Sequence, residues 1–336
     1  MTCDRADRAR HMNRRDLLLG AAGASCRWLT PLGGLTACSA PAPALRVALN
    51  GWIGYSPLFL AQELGHVPES SVRLLEFPSN TASMMALVNG EVAAAALTLD
   101  EVLVAREGGL DVHAALVFDE SAGADVLMAR QGIDALADLR GQRIGVEATG
   151  VGALMLSRAL EVAGLTPSEV VKVPLTADQH VPAYIAKHVD AVITFEPMAS
   201  RLRAIGARPL LDSSRFPGLI VDVLAVSLQI DPRQGVQLRQ LLDGHFQALQ
   251  HLRNNPANAA RLLAQHQQIA PEAVLTAFGG IRMADAAANR GWLSGQSPAL
   301  NASARAIGQL MVQAKLLQRL PDTTTLCDPR YLPESA

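Results

Sequence analysis

Lysine is almost absent from this chain. Lys172, Lys187 and Lys315 are its three lysines, and arginine carries the remaining positive charge. That removes most candidates for Schiff-base chemistry, which needs a desolvated amine. Charge is scarce altogether, at 18% of residues with a net of −2, and no basic block lies beyond the first fifteen residues. Nucleic acid is therefore excluded as a partner, because phosphate binding needs a clustered basic face. Of the four cysteines, Cys3, Cys26, Cys38 and Cys327, cleavage before Cys38 would leave two, and acylation of Cys38 would then leave no disulfide framework. His180 and His188 fall eight apart on one helix, and His113, His245 and His251 have no cysteine or carboxylate arrangement around them. No metal site or cofactor is expected. Walker, Rossmann and nucleophile-elbow motifs are missing. So is any internal repeat of about 20–50 residues, which excludes a solenoid.

Aromatic residues make up only 4% of the chain, yet Trp52 and Tyr55 stand three apart in Asn50-Gly51-Trp52-Ile53-Gly54-Tyr55-Ser56-Pro57. The stretch follows an apolar run, 45–49, that reads as a strand, and precedes 58–64, which reads as a helix. Open α/β sheets bind ligands at such strand-to-helix turns. Two glycines let backbone approach a ligand closely. Trp52 and Tyr55 either stack on that ligand or plug the top of a core.

Residues 1–37 read as an export segment. Arg14-Arg15 precedes an apolar stretch too short to span a membrane, and resembles a twin-arginine signal. Leu35-Thr36-Ala37-Cys38 resembles a lipobox, which implies acylation of Cys38, and 38–44 is a Pro/Ala tether. From Leu45 strand and helix patterns alternate in two βα series, the second beginning near Ile133. After about residue 228 the chain is almost wholly helical. Two series point to two α/β lobes, with a cleft between them as the preferred small-molecule site.

Five segments together resemble the periplasmic substrate-binding proteins of ABC importers in the NitT/TauT branch, which handles nitrate, sulfonates, taurine and thiamine precursors. They are Asn50-Gly51-Trp52, Pro57-Leu58-Phe59-Leu60-Ala61, Asn89-Gly90-Glu91-Val92, Asp138-Leu139-Arg140-Gly141-Gln142-Arg143-Ile144-Gly145-Val146 and Val189-Asp190-Ala191-Val192-Ile193-Thr194-Phe195-Glu196-Pro197. The resemblance implies a type II binding-protein fold, with lobe one over 45–130 plus 224–336 and lobe two over 131–223. It also implies hinge closure on a ligand, docking on a membrane permease, a monomer in the cell envelope, and binding in place of catalysis. A rival is an enzyme like the thiamine-pyrimidine synthases of the same architecture. Their cysteine-rich motif and active-site lysine have no counterpart here. A sensory binding protein without a transporter is a third reading.

The strand-end turns give the expected pocket. Lobe one offers Asn50, Gly51, Trp52, Tyr55, Ser79, Asn80, Thr81, Thr98 and Asp100; lobe two offers Glu147, Thr149, Gly150, Phe195 and Glu196; the crossovers add Asp125 and Asp222. Every charged side chain in this set is acidic. An anion in a closed cleft needs a counter-charge, so the set points to a cationic or donor-rich nitrogenous solute, with Trp52 and Tyr55 against its flat part. For Asp100 and Glu196, which open helices, the alternative role is a helix cap.

Overall fold

The computed structural model describes residues 43–147 and 150–334. The export segment 1–37 and Cys38 lie outside them. Strand β1 (Leu45–Leu49) leads through a single 3-10 turn into α1 (Ser56–Glu63), whose Pro57 sits in the first turn, where a missing N–H costs nothing. The pattern continues with β2 (Val72–Glu76), α2 (Asn80–Val88), β3 (Ala94–Thr98), α3 (Leu99–Glu107), β4 (Val112–Ser121), β5 (Asp125–Ala129) and β6 (Arg143–Val146). Next come α4 (Gly150–Ala163), β7 (Val171–Pro174), α5 (His180–Ile185), β8 (Ala191–Phe195), α6 (Met198–Ala204), β9 (Arg208–Asp212) and β10 (Val221–Ser227). The remainder is α7 (Gly235–Asn254), α8 (Pro256–Gln267), α9 (Pro271–Phe278), β11 (Ile281–Met283), α10 (Ala286–Leu293) and α11 (Ala299–Gln313). No helix among the described residues is long and apolar enough to cross a membrane.

Two sheets result, in the orders β11-β4-β10-β3-β1-β2 and β7-β6-β8-β5-β9. β1 pairs in parallel with β2 and β3, while β10 runs antiparallel between β3 and β4. In the second sheet β6 is parallel to β7 and β8, and β5 runs antiparallel between β8 and β9. These are two α/β lobes with the topology of the type II binding-protein fold. Their central strands are apolar on both faces because helices cover both sides. β3 is buried at every position.

β5 and β10, each antiparallel to both of its neighbours, are the strands the chain lays down on arriving from the other lobe. The passages fall at 122–124 and 213–220, ahead of the 130/131 and 223/224 junctions expected from the sequence. β5 continues the apolar run of β4 and gives no compositional break. Serines fasten the two passages together: the Ser121 and Ser213 hydroxyls are 2.8 Å apart, and Ser213 Oγ also accepts the Gly123 N–H at 2.7 Å. β11 and α10 were not anticipated, since a three-residue strand is too short to show alternation. Replacing Ser213 by alanine leaves a buried hydroxyl and a backbone N–H without their partner. Denaturant unfolding of Ser213→Ala is expected to show a loss of about 1–3 kcal/mol.

Candidate functional site

A cavity of about 10 Å³, the space of one water molecule, lies between the lobes. It is lined by Asn50 after β1, Trp52, Asn80 at the start of α2, Thr98 at the end of β3 and Asp125 at the start of β5. Val151 on α4, Phe195 at the end of β8, Ile220 and Asp222 complete it. The cleft is closed around it. The Ile53 N–H donates to Glu196 O at 3.3 Å. Glu147 Oε1 accepts from Thr81 N (3.1 Å) and Thr81 Oγ1 (2.5 Å). Arg201 Nη2 donates to Gln267 O at 2.7 Å.

The turn after β1 shapes one wall. Asn50 Oδ1 accepts the Trp52 N–H at 3.0 Å, and its amide donates to Asn80 Oδ1. Trp52 is buried, donates Nε1–H to Asp119 Oδ2 at 3.2 Å, and meets the Phe195 ring of the other lobe edge-on at 5.7 Å. Gly54 permits this: a Cβ there would collide with both the indole nitrogen and the Asp119 carboxylate. Tyr55 is fully buried, with its ring 5.0 Å from that of Phe118 and its hydroxyl donating to Asp222 Oδ1 at 2.5 Å. Burial, then the Asp222 charge, pushes its phenol well above the ordinary value, so it remains a donor.

Five buried carboxylates surround this wall: Asp100, Glu101, Asp119, Asp125 and Asp222. Desolvation is the leading cause in each case and penalises the ionised form. It lifts Asp100 to about 6, Asp125 to about 7 and Asp119 to about 8, and holds Glu101 and Asp222 well above the carboxylate range. Neighbouring acids add to it; the charges acting on the five are one another's and those of Glu120 and Glu147. The Trp52 and Tyr55 hydrogen bonds act in the opposite direction but do not offset burial. Among the described residues, Asp125 Oδ2 and Asp222 Oδ2 are buried without a hydrogen-bond partner.

Of the expected pocket, Asn50, Trp52, Asn80, Thr98, Asp125, Phe195 and Asp222 line the cavity. Gly51, Tyr55, Ser79, Thr81, Asp100, Glu147, Gly150 and Glu196 do not, and Thr149 lies outside the described residues. Ser79 instead caps α2, accepting from Ala82 N at 3.1 Å. Glu196 accepts from Ser200 N at 2.9 Å and pairs with Arg203 Nη1 at 2.6 Å. At α3 the capping carboxylate is Glu101, not Asp100: its Oε2 accepts the Thr98 N–H at 3.1 Å. Gly150, with φ +63°, presses on Glu101 across the cleft, where a side chain would not fit. Asp119, Glu101, Val151 and Ile220 were missed. Asp119 stands beside Glu120 and Ser121 at the polar end of β4, which reads from the sequence as the start of a joint. No group of His, Cys, Asp and Glu among the described residues is arranged to hold a metal ion.

A family model described as "NMT1/THI5 like" matches residues 52–259. Among curated proteins, none matches the sequence. Among solved structures, the alkanesulfonate-binding protein SsuA of Xanthomonas axonopodis pv. citri, bound to MOPS, is similar with a TM-score of 0.71 and 22% identity, over 86% of this chain and 99% of its own. A zinc-bound ligand-binding component of an ABC-type import system from Staphylococcus aureus gives 0.72 at 13% identity, over 88% and 99%. The desulfurization enzyme DszB, in complex with biphenyl-2-sulfinic acid, gives 0.63 at 19% identity, over 86% and 97%. At these identities the likeness is one of fold. Gly54→Ala drives a methyl group into the Trp52–Asp119 contact. A loss of about 1–3 kcal/mol in thermal or denaturant unfolding is expected, in the range for overpacking.

Proposed function

We propose, because the chain belongs to the NMT1/THI5-like family, that it is an extracytoplasmic solute-binding protein, tethered to the membrane through acylated Cys38. It hands a small, nitrogen-containing, cationic or donor-rich solute to an ABC-importer permease. The observation that carries the ligand's sign is the pair Asp125 and Asp222. Both line the inter-lobe cavity, each has an unpartnered buried oxygen, and no cationic side chain lines it with them. A buried carboxylate without a partner is costly, and an ammonium or amidinium group between these two would supply the missing hydrogen bonds. Trp52 and Phe195 line the same cavity and would give apolar contact to the rest of such a molecule in a cleft opened wider to admit it. Nitrate or a sulfonate would find no cationic side chain among the residues that line this cavity.

Binding fits these residues better than catalysis does. No cysteine, lysine or histidine lines the cavity, although DszB is an enzyme of similar fold. Cys327 sits elsewhere, in a bridge to Ala114 at the edge of β4, and burial raises its thiol to about 11, which makes it a poor nucleophile. A sensory role without a permease shares the same cleft and differs only in its partner.

Calorimetric titration with amines, amidines and aminopyrimidines, set against taurine and nitrate, tests the sign. A cationic member of the panel is expected to bind and to stabilise the fold by about 2.7 kcal/mol at 100 times its Kd. Asp125→Asn removes one charge-assisted hydrogen bond and is expected to weaken that ligand about 10- to 100-fold. Tight binding of taurine or nitrate instead would sink the cation reading.

A further inference from the structure

The carboxylates around the cleft come from both lobes. Asp100 and Glu101 on α3, Asp119 on β4 and Asp222 on β10 belong to the six-stranded side; Asp125 on β5 and Glu147 after β6 belong to the five-stranded side. They meet across the cleft: Asp125 and Asp222, one from each side, line the same cavity, and Gly150 of the five-stranded side packs against Glu101. Asp125 acts on Asp119 and Asp222, Asp100 acts on Asp125, and Glu147 acts on Asp100 and Glu101. Of the other groups packed here, Tyr55 and Trp52 only donate, Glu120 is acidic, and the arginines are engaged elsewhere. Arg282 is with Glu120, Arg203 with Glu196, and Arg201 with a backbone oxygen. Two cluster carboxylates that line the cavity, Asp125 and Asp222, each keep a buried oxygen without a partner. With all its acids ionised, the closed cleft presses like charge against like charge across its whole interface.

We propose that the lobes close only when positive charge enters this cluster, carried either by a cationic ligand or by protons, so that the empty protein shuts in mild acid and opens as the solution turns alkaline. The ligand half of this statement rests on the cation reading above; the proton half does not. The raised carboxylates fix the direction. The closed form holds protons that the open, hydrated form releases, so closure is fully favoured below the ordinary carboxylate value of about 4. It weakens as pH rises through the values of about 6, 7 and 8 at Asp100, Asp125 and Asp119. The same rule makes the cleft a charge filter. A neutral or anionic solute leaves the repulsion in place and cannot hold the lobes together, however well it fits.

Small-angle scattering of the full chain without ligand, from about pH 5 to about pH 8.5, tests the gate. The radius of gyration is expected to rise with pH, with its midpoint between about 6 and 8. Asp119→Asn/Asp125→Asn, which cannot ionise at two of the cross-lobe positions, is expected to stay compact to higher pH; Asp222→Asn serves as a second variant if the double one does not fold. A radius unchanged over the range in the wild type, or variants that open at the wild-type pH, would overturn the proposal. Adding putrescine or agmatine at the alkaline end separates the two readings. Opening in alkali that neither these nor any cationic member of the calorimetric panel reverses leaves the gate standing and removes the cation reading. Cation binding to a protein whose radius ignores pH does the reverse.

Discussion

Like charges brought together where water is excluded repel far more strongly than they do at a surface, and this cleft is built around that fact. At about 4 Å and an effective dielectric near 20, one pair of ionised carboxylates costs on the order of 4 kcal/mol. Against this stand a handful of direct hydrogen bonds between the lobes, at Ile53–Glu196, Thr81–Glu147 and Arg201–Gln267. Each is worth roughly 1 kcal/mol net. On the gate proposed above, the hydrogen bonds align the lobes and the ionisation state of the acids determines whether they meet. A counter-charge in the cavity turns the largest opposing contribution into an attractive one.

The aromatic turn after β1 makes sense in that light. Trp52 and Tyr55 divide the labour that the sequence left undivided. Trp52 faces the cavity and the Phe195 ring, and its indole N–H restrains Asp119. Tyr55 points down into the core, and its contribution to the site is a hydroxyl that holds one oxygen of Asp222 and leaves the other free. Each ring therefore fixes one acid of the cluster in position. Gly54 stands between them because any Cβ there would separate the indole from its carboxylate.

The βα alternation of both lobes and most of their helix stops could be read from periodicity and from glycine, because those signals are local. The cavity was partly legible for the same reason: Asn50, Thr98 and Phe195 end strands, and strand ends face the cleft in this architecture. Most of what escaped was set by tertiary contact. Asp119 lies at the polar end of β4, and nothing in its neighbours distinguishes an acid facing a cleft from one facing solvent. Asp100 and Glu101 are adjacent, and the Thr98-x-x-Glu101 spacing of a capping box, which was not used, marks Glu101 as the residue that caps α3. The passages between lobes were displaced by several residues because Val126-Leu127-Met128-Ala129 is as apolar in the second sheet as it would have been in the first.

That displacement bears on mechanism. With the passages at 122–124 and 213–220, Asp119 and Asp125 flank one of them, and Asp222 follows the other by two residues. The serines that fasten the passages, Ser121 and Ser213, stand between these acids in the chain, and Ser121 Oγ also accepts the Asp125 N–H at 3.3 Å. On the proposed reading, charge recognition and lobe rotation share one short set of residues. A cation placed between Asp125 and Asp222 bridges the first residue of β5 to the second of β10, the two strands that the chain forms on changing lobes. It acts where the lobes are joined, so its charge bears directly on the angle between them and needs no relay through either core.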